Sequence, residues 1–352
     1  MVGSQKISEL TAAVTLTGTE LLPVVQSSTT RKASVDDLKL YINPNAVIDN
    51  YNYFINGNFD VWQRGLYSWT SGYSLPAAAT GRYLADRWLV GANISTAAPS
   101  RQTFALGQTE VPGFPNYYHR VVVASAVDPL AGVYLAQRTE GVQRLSGQTL
   151  SWKFWAKADV ARKVCVAFIQ NFGSGGTPSA EIVSLGMTTC QLGQTWQAFT
   201  GTVDIPSTRG QTLGTGAGSS YLAMNVWMDA GADLAVQTNS LGQQSGTFDF
   251  ARMQLNTGAQ TLSWQVREYS TELKLGQRYY EAGDINSFVV VPNVTNSYPN
   301  VRFVEQKRVS PTILLAPVAG TGAAVTKDTT GFFQSTNHSV FAACGWSAEA
   351  EL

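Results

Sequence analysis

Alternation of apolar and polar side chains with a period of two runs through most of this sequence. It appears in "RYLADRWLV" (82–90), "YYHRVVVA" (117–124), "LSWKFWAKA" (150–158) and "KVCVAFI" (163–169), and again in "WQAFTGTVDI" (196–205), "YLAMNVWMDA" (221–230) and "TFDFARMQL" (247–255). A period of two puts successive side chains on opposite faces of a strand, and the β-branched and aromatic residues enriched here suit a half-buried pleated surface. The intervening "FGSGGTPS", "STRGQTLGTGAGSS" and "TNSLGQQSGT" are Gly/Ser/Thr-rich loops. Seven or eight strands joined this way predict a mainly β chain built on an antiparallel jelly-roll sandwich.

Two short helices interrupt the pattern. In "SVDDLKLYI", Ser34 can cap the free N–H groups, Asp36 and Asp37 suit the positive first turn, and Val35, Leu38 and Ile42 share a face. "TELKLGQRYYEAG" (271–283) reads the same way, with Thr271 as cap, Leu273 and Tyr280 on one face and Gly283 as the stop. Beyond it "SFVVV", "PTILLA", "GFFQS" and "SVFAACGW" predict a small separate β domain. Three parts follow: an N-terminal anchor segment (1–50), the sandwich (51–283) and a C-terminal β tip (284–352).

The first part is the odd one. "ISELTAAVTLTGTELLPVVQSSTTRKASVDDLKLYI" (7–42) is too apolar for an ordinary tail, and Gly18 and Pro23 break it too often for it to hold a core. Such a segment is buried by a partner, by its own copies, or by folding back onto the sandwich. It has no basic start followed by an apolar stretch, so no secretion signal is expected. No apolar run reaches the roughly 18 residues of a membrane span, so no membrane insertion is expected.

Composition narrows the partners. Hydrophobic residues make up 44% and charged residues 14%, with a formal net charge of zero. Average soluble domains carry roughly 25% charge. Surfaces here must rely on Ser, Thr, Asn, Gln and Gly, which suits uncharged partners such as sugars. With no Lys/Arg cluster to displace counterions, nucleic acid is not an expected partner.

Catalytic chemistry is hard to find. The two histidines, His119 and His338, lie in a strand pattern and a turn, and neither sits in a nucleophile motif. Cys165, Cys190 and Cys344 match no metal or redox spacing and read as buried free thiols. "GTGAGSS" (214–220) lacks the Lys and helix of a phosphate loop and reads as a plain hairpin loop. Acid pairs such as Asp229 with Asp233 exist, but nothing marks one for glycoside hydrolysis. No catalytic residue, cofactor or metal is assigned. Aromatics remain: Trp and Tyr faces stack on the C–H faces of sugars. Tyr67, Trp69 and Tyr73 in "QRGLYSWTSGYS" (63–74) and Tyr298 in "NVTNSYPN" (293–300) are candidate glycan contacts, whereas Trp62, Trp88 and Trp152 are expected in the core.

Four stretches, in order, resemble bacteriophage tail-fibre and related virion fibre proteins. They are "ISELTAAVTLTGTELLPVVQ…TRKASVDDLKLYI", "NYFINGNFDVWQRG" (52–65) with "RYLADRW" (82–88), "FDFARMQLNTGAQTLSWQVREYSTELKLGQRYYE" (248–281), and "FAACGWSAEAEL" (341–352). The middle two are similar to the opening and close of a carbohydrate-binding-module-like sandwich. Gly276 stands where that pattern often has Cys, and Asn256 where it has an acid.

The resemblance implies a homotrimer that attaches to another virion protein through its N-terminus and contacts a bacterial surface glycan. Leu16, Thr17, Gly18, Leu21, Leu22, Pro23, Val24, Val25, Leu38 and Ile42 are the attachment residues it implies. Three copies of 34–42, and of 271–283, would bury their apolar stripes around one axis. Virion proteins assemble in the host cytoplasm and leave by lysis, which fits the missing signal. Two alternatives stay open: a collar or head fibre without receptor binding, and a polysaccharide depolymerase.

Overall fold

The computed structural model describes residues 21–26, 29–34, 52–64, 82–285, 300–315, 324–335 and 344–352. The chain divides into two compact units, Met1–Asn50 and Tyr51–Leu352. In the first, β1 (Leu21–Gln26) and β2 (Thr29–Ser34) pair antiparallel from Leu21↔Ser34 to Gln26↔Thr29. Leu21, Leu22, Pro23, Val24 and Val25 therefore lie on an extended ribbon. Leu16, Thr17, Gly18, Leu38, Ile42 and the predicted helix beyond Ser34 lie outside the described residues.

The second unit is an antiparallel β-sandwich extended by further sheets. Its eleven strands are β3 (Arg82–Tyr83), β4 (Leu89–Asn93), β5 (Thr96–Thr103), β6 (Tyr117–Ala124), β7 (Gly132–Glu140), β8 (Thr149–Ala158), β9 (Arg162–Asn171), β10 (Ile182–Leu192), β11 (Gln197–Asp204), β12 (Tyr221–Ala230) and β13 (Gly246–Thr257). They form a six-stranded sheet, β10-β9-β12-β7-β4-β3, and a five-stranded sheet, β11-β8-β13-β6-β5. Apart from β5–β6 and β9–β10, successive strands from β4 onward alternate between sheets, so the chain wraps around its core as a jelly roll. That core is made by the inward residues of both sheets. Val133 and Leu135, Val164, Val166 and Phe168, and Leu222, Met224, Val226 and Met228 come from one sheet; Leu150, Trp152 and Phe154, with Phe248 and Phe250, come from the other.

Four strand assignments change, since β5, β7 and β10 are strands beyond the seven stretches read from the alternation and one of those stretches divides in two. "RYLADRWLV" is not one strand. Arg87 adopts φ 71, and Trp88 N–H closes a turn onto the Ala85 carbonyl at 2.9 Å, which splits the stretch into β3 and β4. The turn drives Trp88 fully inside, against Phe54 and Phe59. β5, "TAAPSRQT", carries small residues and Pro99, which mask its alternation; it sits at a sheet edge, where Pro costs no interior ladder bond. The 214–220 loop is not a hairpin. It joins β11 to β12 in opposite sheets, and its backbone clasps the 172–176 loop, with Gly214 N–H on the Phe172 carbonyl at 2.8 Å and Gly216 N–H on the Ser174 carbonyl at 2.7 Å.

The helix predicted over 271–283 is also different. Helix α1 runs Tyr269–Gln277, with Glu268 rather than Thr271 at its N-cap. Tyr280 does not share a face with Leu273, because Tyr280–Ile285 leave as strand β14 and pair with β19 (Cys344–Glu349), and Gly283 lies opposite Trp346. β14 is the edge strand of the β14-β19-β16 sheet, and its ladder with β19 takes this segment out of the helix. The helix is held to its own sandwich. Glu272 accepts the Asn56 backbone N–H at 2.8 Å and Arg267 at 2.7 Å, and Gly276 is buried where a Cβ would meet the Asp86 carboxylate at 3.1 Å. Leu273 and Tyr280 therefore do not form the single helical stripe expected of this segment.

Strands β14, β19 and β16 (Thr312–Leu315) make one three-stranded sheet; β15 (Asn300–Arg302), β18 (Gly331–Ser335) and β17 (Ala324–Lys327) make another. Phe303, Phe332 and Trp346 pack together with ring centroids 5.4–6.1 Å apart. Ion pairs tie this end to the sandwich: Arg64 to Glu349 (2.9 Å) and Glu351 (3.0 Å), Arg87 to Glu351, and Arg278 to Glu140 (3.1 Å). Lys307, fully buried, meets Glu281 at 2.5 Å.

Candidate glycan-binding faces

Tyr67, Trp69, Tyr73 and Tyr298 lie outside the described residues. The expected core tryptophans are where the pattern put them: Trp88 and Trp152 are wholly buried and Trp62 packs against the core. Cys165 and Cys190 are free thiols, and burial pushes them up to about 11 and about 12, which keeps both protonated and unreactive. Asp229 is fully buried and occupied by the Ser95 hydroxyl (2.6 Å) and the Gln244 N–H (2.8 Å), so it is not paired with Asp233 for acid–base work.

The six-stranded sheet turns a second side chain set outward. In β12 the inner residues are Leu222, Met224, Val226 and Met228, so Tyr221, Ala223, Asn225 and Trp227 face away from the core. Register aligns each with its neighbours. Trp227 lies between Tyr134 and Cys165, Asn225 between Ala136 and Ala167, Ala223 between Arg138 and Ile169, and Tyr221 between Glu140 and Asn171. The row through Asn225 is thus small. The rows beside it are tall, with Trp227 and Tyr134 on one flank and Arg138 and Tyr221 on the other. The difference in side-chain size makes a shallow furrow across the strands, and Ala136, Ala167, Ala223, Asn225 and Trp227 along it are only 1–8% exposed, so most of it is covered within the chain.

The aromatic flank is rigid. Trp227 and Tyr134 have ring centroids 4.8 Å apart and are backed by Leu234 and Leu241. Tyr134 lies flat over Gly91 of β4, where an added Cβ would come within 2.2 Å of the ring. Across the furrow the Arg138 guanidinium sits 4.7 Å from the Tyr221 ring centre and also donates to the Leu352 carbonyl. Burial raises the phenols of Tyr134 and Tyr221 above the usual tyrosine range, so both present neutral hydroxyls at physiological pH.

Asn225 is the anomaly on this face. It is 5% exposed, yet its side-chain amide has no hydrogen-bond partner among the described residues. Its amide atoms are not among the wholly buried polar atoms left without a partner, so they keep some contact with solvent and are spared the full cost of an unpaired buried group. An amide offers both donors and an acceptor. Set between aromatic side chains on a floor of alanines, it has the chemistry to hold a sugar hydroxyl. Alternation in "YLAMNVWMDA" could have shown this: its odd positions, Tyr221, Asn225 and Trp227, are the outward set once the Met-rich even positions go to the core.

The five-stranded sheet bears a different outer surface. Val111, Trp196 and Ala251 are buried there against Phe104, Tyr118 and Trp155. Next to that cluster, register lines up Lys157, Asp249, Arg120 and Ser100 across four strands. Arg120 grips Asp249 with two bonds, Nε–Oδ1 2.7 Å and Nη2–Oδ2 2.8 Å.

No family model matches this sequence, and no curated protein matches it. Similar solved structures include a CBM4 structure (17% identity, 58% of this chain and 98% of that chain, TM-score 0.31). Another is the CBM22-1 xylan-binding domain from Paenibacillus barcinonensis Xyn10C (10% identity, 49% of this chain and 87% of that chain, TM-score 0.28). A third is the enzymatically active domain of tailspike protein 4 of bacteriophage CBA120 (11% identity, 49% of this chain and 19% of that chain, TM-score 0.29). None of these three reaches a TM-score of 0.5.

Proposed function

We propose that this chain is a structural virion fibre protein of a bacteriophage, of tail-fibre type, whose sandwich binds bacterial surface glycan without cleaving it. The observation that carries the binding half is the Asn225 amide, which has no hydrogen-bond partner among the described residues, between the Trp227–Tyr134 and Tyr221–Arg138 flanks. The fibre half rests on the four sequence stretches and their order. In this reading residues 1–50 attach a homotrimer to another virion protein, 51–283 present the furrow, and 284–352 form the tip. Three furrows per fibre, on several fibres, turn weak single contacts into firm adhesion through effective concentration.

The test is incubation of the full chain with polysaccharides from bacterial surfaces, measuring retained glycan and new reducing ends together, with light scattering for solution mass. Retention without new reducing ends, by a particle of three chains, is the expected result. New reducing ends would replace adhesion by depolymerase activity. A monomer that retains no glycan would overturn both halves.

A further inference from the structure

The outer face of the five-stranded sheet holds a cavity of about 370 Å³, lined by Arg120, Lys157, Ala158, Asp159, Gln194, Thr247 and Asp249. Small-molecule sites run from about 300 to 1,000 Å³. It lies on the sheet opposite the Asn225 furrow, so the two cannot share one ligand-binding surface.

The charges around it do not cancel pairwise. Asp249, 3% exposed, spends both oxygens on Arg120. Asp159 likewise spends both on Arg162, at 2.9 and 3.2 Å. Lys157 is left over. Its ammonium lies 5.2 Å from the centre of the Trp196 ring, and no carboxylate among the described residues pairs with it. Arg120 is 32% exposed, and its Nη1 carries no hydrogen bond among the described residues. The neutral groups complement this. Gln194 donates Nε2 to the Asp159 carbonyl at 2.8 Å, which leaves its side-chain oxygen as an acceptor, and the Thr247 hydroxyl is unpaired among the described residues.

We infer that this cavity is a second sugar site, selective for an acidic sugar whose carboxylate meets Lys157 and the free edge of Arg120. A single surplus cation matches the single charge of a carboxylate, and the planar guanidinium edge matches its geometry. Thr247 and Gln194 take the ring hydroxyls. Desolvation at the Trp196 face strengthens the pairing, because charge attraction rises as water is excluded. The site makes the protein select acidic surface polysaccharides over neutral ones, and its binding falls as salt rises.

The experiment is a calorimetric titration of the full chain with trigalacturonate and, separately, with neutral galactotriose. Lys157→Met keeps the stem that packs on Trp196 and removes the charge; it should weaken trigalacturonate binding by about tenfold or more, while Lys157→Arg retains it. Should Lys157→Met fold poorly by circular dichroism, Thr247→Val supplies the same readout with a smaller change. Binding of neutral galactotriose should be the same in Lys157→Met as in wild type, which separates this site from the outer face of the six-stranded sheet. The inference is overturned if wild type does not bind trigalacturonate, if Lys157→Met binds it as well as wild type, or if Lys157→Met loses galactotriose equally.

Discussion

Replacing His119 with Phe should make the protein resist acid. His119 is fully buried in β6, stacked on Trp62 (centroids 5.3 Å, 14° between planes) and tilted against Phe59. Neither ring nitrogen has a hydrogen-bond partner among the described residues. Burial without compensation drives its pKa from the usual 6.5 down to about 3. The sign follows from proton counting. Between those two values the unfolded chain binds a proton at His119 and the folded chain does not, so stability is whole above pH 6.5 and is lost as pH falls toward 3. At about 1.4 kcal/mol per pH unit, moving from about pH 7 to about pH 5 costs roughly 2 kcal/mol from this residue alone. His119→Phe keeps the aromatic contacts, removes that slope, and also removes an unpaired buried donor. Urea unfolding of both proteins at the two pH values gives the difference of differences, in which every other titrating group cancels. An equal acid loss in wild type and variant would refute the reasoning.

Asp86 works in the opposite direction. Burial raises its pKa to about 6, so the folded state keeps a proton that the unfolded state releases, and stability falls as pH rises from about 4 to about 6; Asp86→Asn should flatten that descent in the same unfolding series. Glu351→Ala strands the buried guanidinium of Arg87, while Arg64 keeps Glu349, and should cost about 3–5 kcal/mol and open the C-terminal strands to hydrogen exchange before the sandwich. Gly201→Ala pushes a Cβ to 2.3 Å from the Trp152 ring; overpacking of this kind costs about 1–3 kcal/mol and should show as a lowered Tm. Leu38→Ser with Ile42→Ser should loosen trimers or virion attachment, measured by light scattering and virion incorporation, while the sandwich stays folded; a fully attached trimer would contradict it.

The sandwich was legible because alternation is a direct record of which face is buried. "LSWKFWAKA" and "YLAMNVWMDA" each commit one set of side chains inward, and the structure uses those sets. The rest was hidden where other terms outweigh periodicity. β5 carries Ala, Pro and Ser, whose small or ring-locked side chains leave little contrast between faces. The β3–β4 turn needs Arg87 in a left-handed conformation, which nothing local announces. Tyr280–Ile285 joined a strand because β19, some sixty residues later, supplies its ladder; local propensity cannot see such a partner. Tyr67, Trp69, Tyr73 and Tyr298 drew attention as aromatics in loops. Asn225 was passed over because an amide inside a strand pattern looks ordinary. Only the lack of a side-chain hydrogen bond to it among the described residues, with Ala136 and Ala167 beside it, sets it apart.

The most direct test of the glycan-binding reading is the affinity of the full chain for a retained surface glycan, in wild type and in Asn225→Leu, by calorimetry. Leu keeps the branched shape without donors or acceptors, and circular dichroism checks that the variant stays folded. The account predicts that affinity for a neutral glycan drops by about tenfold or more, the value of one well-placed hydrogen-bonding group in a desolvated site. Unchanged affinity in a well-folded variant would contradict it.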